Sequence, residues 1–393
     1  MNSRTSIWRQ LDYVTLALVY LVAISSLFII ASATTSDGLY YFKRQLIWIV
    51  LGTLVIIVVT WVPYERFQKF SPYLYWFSIL LLAVVIVHGQ TRLGAQRWIQ
   101  VGPFQLQPSE FAKIAVVVTL ATHLAKKRTL SRWRDLISPL LHVALPMLLI
   151  LKQPDLGTAL VFVAIVAGML FMAGVPIWKL ILIFPGGLAF VVLWIYLHLT
   201  VHSIQIPLPM HQYQLNRLLI FLDPNKDPLG AGFNVIQSRI AVGVGGTWGL
   251  GLFGAHANQL SFLPEASTDF IFAVIAEELG FVGAMALLFV YLLLLARGTY
   301  IAAQARDRYG MLLASGVVAM FAFHVVESAG MVSGVMPVAG VPLPFMSYGG
   351  SALLADSAGI GILLNVYMRR KLTSPASVPV ASPVGYSKKV TQQ

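Results

Sequence analysis

YVTLALVYLVAISSLFIIASA, residues 13–33, carries no charged side chain and is long enough to cross a hydrocarbon core, which takes roughly 20 apolar residues as a helix. Arg4 and Arg9 precede it, but the run is too long for a signal-peptide core and lacks a clear small-residue cleavage site. It is therefore expected to stay as the first transmembrane helix. Comparable runs recur along the chain, and spans are expected near residues 13–33, 44–62, 73–88, 108–124, 137–152, 155–173, 177–199, 267–296, 310–330 and 350–368. Of 393 residues, 58% are hydrophobic and only 11% charged. A soluble domain with so little charge would expose large apolar patches.

The expected fold is thus an all-α integral membrane protein of about ten transmembrane helices, with a long structured extracellular loop between the seventh and eighth. Residues 1–372 are expected to form a single polytopic domain, and the Ser/Pro-containing residues 373–393 a disordered cytoplasmic tail. Cysteine is absent, which excludes disulfides, thiol catalysis and cysteine-ligated metal centres. The net charge of +12 is topological. With the N-terminus placed in the cytoplasm, 18 of the 27 Lys and Arg fall inside, 8 outside, and Lys113 lies within a span. That bias puts both termini in the cytoplasm and directs the basic residues toward anionic membrane lipids, not nucleic acid.

Three segments, 89–113, 200–269 and 331–351, are richer than turns require, and all fall on the outer side. In RLGAQRWIQVGPFQLQPSEFAK, residues 92–113, Pro108 and Ser109 make a helix start. Glu110 and Lys113, three apart, can pair on one face of that helix. A charge at the position of Lys113 costs about 3 kcal/mol on insertion scales if unpaired. With Arg97 nearby in sequence it suggests a pocket for an anionic group such as phosphate. NRLLIFLDP, residues 216–224, can lie as an interfacial helix. In GVGGTWGLGLFG, residues 243–254, a formal GxGxxG has no βαβ unit around it, and the glycines instead permit tight turns at membrane depth. FLPEASTDFIFAVIAEELG, residues 262–280, leads into a long apolar helix expected to contain Asp269. If the segment is helical, Glu265 and Asp269 share one face and can hold a proton between them, as suits a general base. The same acids could equally serve as helix caps. Glu277 and Glu278 are read as structural, while Glu327 and Asp356 sit inside spans and need a partner. The last segment, with Pro337, Pro342, Pro344 and several glycines, reads as a rigid loop dipping toward the pocket. The eight histidines show no metal-ligand spacing and read as ordinary packed or interfacial side chains.

RWIQVGPFQLQPSEFAK, KQPDLGTAL, FLDPNKDPLGAGFNVIQS, FLPEASTDFIFAVIAEELG and PVAGVPLPFMSYGGS together resemble the signature blocks of the SEDS proteins of shape, elongation, division and sporulation. They run in order over nearly the whole chain, from Leu11 to Asn365, and the opening LDYVTLALVY is more similar to the elongation than to the division member. The resemblance implies a ten-helix peptidoglycan glycosyltransferase that polymerises lipid II with inversion at the outer face of the inner membrane. It also implies a class B penicillin-binding protein as transpeptidase partner, alongside other elongation-complex proteins. On the matching positions it implies Asp269 as the essential aspartate and Glu265 as its catalytic companion. Arg97, Lys113, Glu110 and Ser347 are implied substrate contacts, the two cations holding the lipid pyrophosphate, with a divalent cation (Mg or Mn) as a possible cofactor. The chain departs from the family pattern at Ser267, often His, at Val244, often Ser, and at Glu327–Ser328, often Gln-Asn. Site chemistry alone also leaves open a lipid transporter or a non-catalytic scaffold.

Overall fold

The computed structural model describes residues 10–34, 39–92, 95–102, 104–127, 129–200, 212–230, 232–254 and 266–370. Glu265 and the expected tail 373–393 lie outside the described residues. The helices are α1 (Tyr13–Ala33), α2 (Tyr40–Trp61), α3 (Tyr64–His88), α4 (Pro108–Ala125), α5 (Trp133–Lys152), α6 (Leu156–Met172), α7 (Ile177–Thr200), α8 (Gln212–Leu222), α9 (Phe233–Gly245), α10 (Ile271–Ala303), α11 (Arg308–Ser333) and α12 (Gly350–Met368). Eight of them are long and apolar enough to cross a membrane. The other two expected spans are α4, whose apolar run is diluted by Glu110 and Lys113, and α6, which has 17 residues. The chain is a multi-pass membrane protein.

Burial sorts the spans. α11 and α12 are largely enclosed and pack with α4, whereas α7 touches chiefly α6 and turns most of its side chains outward. The all-α expectation missed a small three-stranded antiparallel sheet between α3 and α4: β1 (Gln90–Arg92), β2 (Ala95–Val101) and β3 (Phe104–Leu106). Its register sets Gln90 opposite Trp98 and Ile99 opposite Leu106, and Gly102, at φ 60°, turns the chain between β2 and β3. The segment 216–224, expected as a helix at the interface, is helical as far as Leu222, the end of α8.

The largest departure concerns α10. Residues 267–270, expected to be helical, form turns, and the helix starts at Ile271. The cause is local: the carbonyls of Ser267 and Thr268, which a helix would bond to residues 271 and 272, are taken by Tyr348 N (2.8 Å) and Ser347 Oγ (2.6 Å). Asp269 therefore lies in a turn ahead of the helix, and the expected pairing with Glu265 on one helical face falls outside the described residues. α10 is also interrupted at Gly280, where φ is 65° and ψ −168°. The glycine-rich turns after α9 fill the break. Leu250 N and Gly251 N donate to the carbonyls of Glu277 (3.0 Å) and Glu278 (2.9 Å), while Phe281 N and Val282 N donate to the carbonyls of Gly246 (2.9 Å) and Thr247 (3.1 Å).

Two ties hold α1 against α10. At one end Arg297 forms a two-pronged pair with Asp12, both N–O distances being 2.9 Å. At the other, Ser32 Oγ donates to Glu278 Oε1 and accepts from Phe253 N at 3.1 Å.

Gly280→Ala meets both a left-handed backbone and the main chain of residues 247–249. It is expected to cost about 2 kcal/mol or more. Gly187→Ala, in an open stretch of α7, is expected to leave stability unchanged or raise it. Thermal unfolding of the two variants in detergent checks the contrast.

Candidate active site

The loop joining α11 to α12 organises the candidate site. Pro337, Pro342 and Pro344 keep residues 334–349 out of helix, and Ser347 fixes its far half: its Oγ accepts from Leu343 N (2.9 Å) while donating to Thr268 O. Tyr291 OH, from the middle of α10, donates to Pro344 O at 2.6 Å. The turn carrying Asp269 is thus stapled to a loop that is itself anchored to α10. Ser347 is buried, and both its partners are protein groups.

Three successive residues of that loop each meet a charged side chain from a different element. Val338 O accepts from Arg217 Nη1 of α8 (3.0 Å), and Ala339 N donates to Glu327 Oε1 of α11 (3.1 Å). Gly340, at φ 72°, lies against Asp269: a Cβ placed there would sit 3.0 Å from Asp269 Oδ2 and 3.7 Å from Arg217 Nη1. The bare glycine leaves the carboxylate room that a side chain would fill. The structure thus brings Asp269 together with Arg217 and Glu327. Arg217 was missed in the sequence because NRLLIFLDP reads as a membrane-surface helix; only its docking beneath the loop gives the cation a role.

Glu110 and Lys113 pair as their spacing predicts, at 2.8 Å, but both are buried in α4. Lys113 Nζ also lies 3.1 Å from His324 Nε2 of α11, so this histidine, read as an ordinary packed side chain, belongs to the buried charge cluster. Asp356 of α12 is within electrostatic reach of both Lys113 and Glu110. Arg97 stands apart from that pair. From β2 its guanidinium donates to the carbonyls of Gln153 (3.2 Å) and Pro154 and faces Asp155 at 3.7 Å, keeping 16% of its side chain exposed. Asp155 in turn caps α6 through Thr158 N (3.2 Å). Arg97 therefore fastens the sheet to the corner between α5 and α6. Among the described residues no three His, Asp or Glu side chains converge to hold a metal ion.

An apolar groove of about 320 Å³ runs between α1 and α10. Leu21 and Phe28 wall one side, Ile275 and Leu279 the other, and Met346, next to Ser347, lies at its margin. The groove thus borders the loop that holds the Asp269 turn.

Residues 4–372 match the model of the FtsW/RodA/SpoVE family, described as cell cycle protein. The peptidoglycan glycosyltransferase MrdB of Escherichia coli K12 is 39% identical over 372 residues, covering 93% of this chain and 95% of that protein. A solved chain from work on the structural coordination of polymerization and crosslinking by a peptidoglycan synthase complex superposes with a TM-score of 0.78 at 34% identity, covering 92% of this chain and 99% of that one. The rod shape determining protein RodA of Thermus thermophilus gives a TM-score of 0.66 at 31% identity, covering 92% and 98%.

Removing one member of the buried pair strands its partner's charge. Glu110→Gln and Lys113→Met are each expected to cost about 3 kcal/mol. The double variant is expected to recover much of that loss, as read from the thermal midpoints of the three proteins beside wild type.

Proposed function

This chain belongs to the FtsW/RodA/SpoVE family, and on that footing we propose that it is the peptidoglycan glycosyltransferase of cell-wall elongation, polymerising lipid II into β-1,4 glycan strands. The observation that carries the reading is the placement of Asp269. Its turn is stapled by two hydrogen bonds from the loop before α12, its carboxylate sits against Gly340 beside Arg217, and the same loop lines an apolar groove through Met346.

In this mechanism Asp269 takes the proton from the 4-hydroxyl of the acceptor's glucosamine unit. The oxygen attacks C1 of the donor's muramyl sugar from the face opposite its α-linked pyrophosphate, so the configuration inverts to β. The bond from C1 to the pyrophosphate oxygen breaks, and undecaprenyl pyrophosphate departs with the electron pair. Positive charge near that oxygen stabilises it as it forms. Arg217 and the partly exposed Arg97 supply such charge, while Lys113 acts from beneath through its field, Glu110 holding it in place. Ser347 acts by positioning the Asp269 turn. Glu265, the glutamate of the Pro-Glu pair, is the proposed catalytic companion of Asp269. A divalent cation bound with the substrate would add to that positive charge.

The polyprenyl tail lies in the groove between α1 and α10, where the lining is almost wholly apolar. Both termini face the cytoplasm and the site faces outward, a reading supported by the excess of Lys and Arg in the alternate connections. Residues 1–372 act as one membrane unit, supported by the span of the family match. A class B penicillin-binding protein is the proposed partner. The likeness to a chain of a synthase complex in which polymerisation and crosslinking are coordinated supports it.

The test is glycan polymerisation from lipid II by the purified chain co-expressed with its transpeptidase. Asp269→Ala is expected to lower the rate at least about 100-fold while the complex stays intact. Equal polymer from both proteins would remove Asp269 from catalysis. No polymer from intact wild-type complex would favour lipid transport or a scaffold.

A further inference from the structure

A cavity of about 460 Å³ lies at the far end of α10 from Asp269, where the corner between α10 and α11 meets the corner between α6 and α7. Arg306 and Arg308 line it with Asp307 between them, and Met172 and Met311 add apolar wall. Arg308 Nη2 donates to Ala173 O at 3.0 Å, which fixes its guanidinium across the two corners. Arg306 is exposed.

The negative groups at this place are already engaged. Asp307 Oδ1 accepts from Gly310 N (2.7 Å) and Oδ2 from Tyr64 OH (2.6 Å), so its carboxylate is spent on capping α11 and holding α3. Carbonyls at the ends of α6 and α10 would also repel an anion. Of these, Ala173 O is covered by Arg308, and Tyr300 O and Ala302 O by Gln304 N (3.0 Å) and Ala305 N (3.3 Å). What remains for a ligand is the positive charge of two guanidiniums beside an apolar wall.

The aromatic residues beside the cavity set its depth. α7 starts three residues beyond Gly174, and Trp178 there packs edge-on against Trp133 at 5.5 Å. Lys179 Nζ stands over both rings, 5.0 Å from that of Trp133 and 5.4 Å from that of Trp178. Tryptophans and a lysine so arranged mark the level of the lipid headgroups. Phe171 and Ile177, on either side of the corner, are exposed hydrophobics suited to the hydrocarbon beyond it. A soluble anion would use only the charge here, whereas a phospholipid uses the charge and the apolar wall together.

We propose that this cavity binds the phosphodiester headgroup of an anionic phospholipid, in the leaflet that is cytoplasmic in the orientation proposed above. Arg306 pairs with the phosphate oxygens, Arg308 adds its charge from the wall, and an acyl chain runs outward past Met172. The lipid thereby joins the α6–α7 corner to the α10–α11 corner, next to α7, which is otherwise held chiefly by α6.

The site lies apart from the proposed chemistry, so lipid binding is measured without turnover. Phosphatidylglycerol is titrated onto the detergent-purified full chain, and the first bound lipid is followed by native mass spectrometry. Phosphatidylcholine is expected to bind at least about 10-fold more weakly. Arg306→Gln should weaken the first phosphatidylglycerol about 5-fold, and Arg306→Gln with Arg308→Gln about 30-fold. Lys126→Gln with Arg134→Gln removes the same charge from exposed positions near the α4–α5 connection and should change it less than about 2-fold. The single Arg306 variant decides the matter if the double variant does not fold. Equal weakening by both charge-removing pairs, no weakening by Arg306→Gln, or equal binding of phosphatidylcholine overturns the site. Displacement of the lipid by millimolar inorganic phosphate also overturns it, in favour of a soluble anion.

Discussion

A peptide group in hydrocarbon has no water to turn to, so every break in a helix there must be repaired by another part of the protein. At Gly280 the repair is done by residues 246–251, whose backbone exchanges four hydrogen bonds with the two ends of the break. Only a residue without a Cβ fits at Gly249, which presses on the carbonyl of Glu278, and at Gly280 itself, where φ is positive. The same rule shapes the loop before α12. Three prolines there have no N–H to satisfy, and two of the remaining donors, Ala339 N and Leu343 N, are taken up by the side chains of Glu327 and Ser347. Backbone accounting thus fixes the loop, and the loop fixes Asp269.

The charges inside the bundle obey a related constraint. Glu110, Lys113, His324 and Asp356 are buried on three helices that pack against one another. A buried ion pair is weak evidence of stability, because desolvation offsets much of the attraction. The contact of Lys113 with His324, by contrast, ties α4 to α11 in one register. The cluster around Asp269 differs in that Arg217, Glu327 and Asp269 meet through a loop, so their spacing follows the loop's conformation.

The spans were legible because a 20-residue apolar run has few other uses, and residues 13–33 coincide with α1 to the residue. The Glu110–Lys113 pair was legible because three-residue spacing on a helix brings side chains together. Asp269 was expected inside a helix but lies in the turn ahead of it. FIFAVIA reads as the start of an apolar span, and the contacts that uncoil its approach come from Ser347 and Tyr348, some eighty residues further along the chain. The pairing of β2 with β3 and the role of Arg217 were hidden for the same reason: both depend on what a segment docks against. His324 illustrates the limit, since nothing adjacent to it in the chain distinguishes it from the other seven histidines.

The ties between α1 and α10 bear on how a lipid could be exchanged. Asp12 with Arg297 at one end and Ser32 with Glu278 at the other frame the groove like the two ends of a slot. Between them Leu21 and Phe28 remain exposed along the outer edge of α1. A slot closed at its ends and open along its flank cannot be threaded; it is loaded sideways from the bilayer. A spent carrier would then be displaced laterally by its successor, each exchange staying within the plane of the membrane, and the fixed width would admit a slender open chain more readily than a bulky ring system.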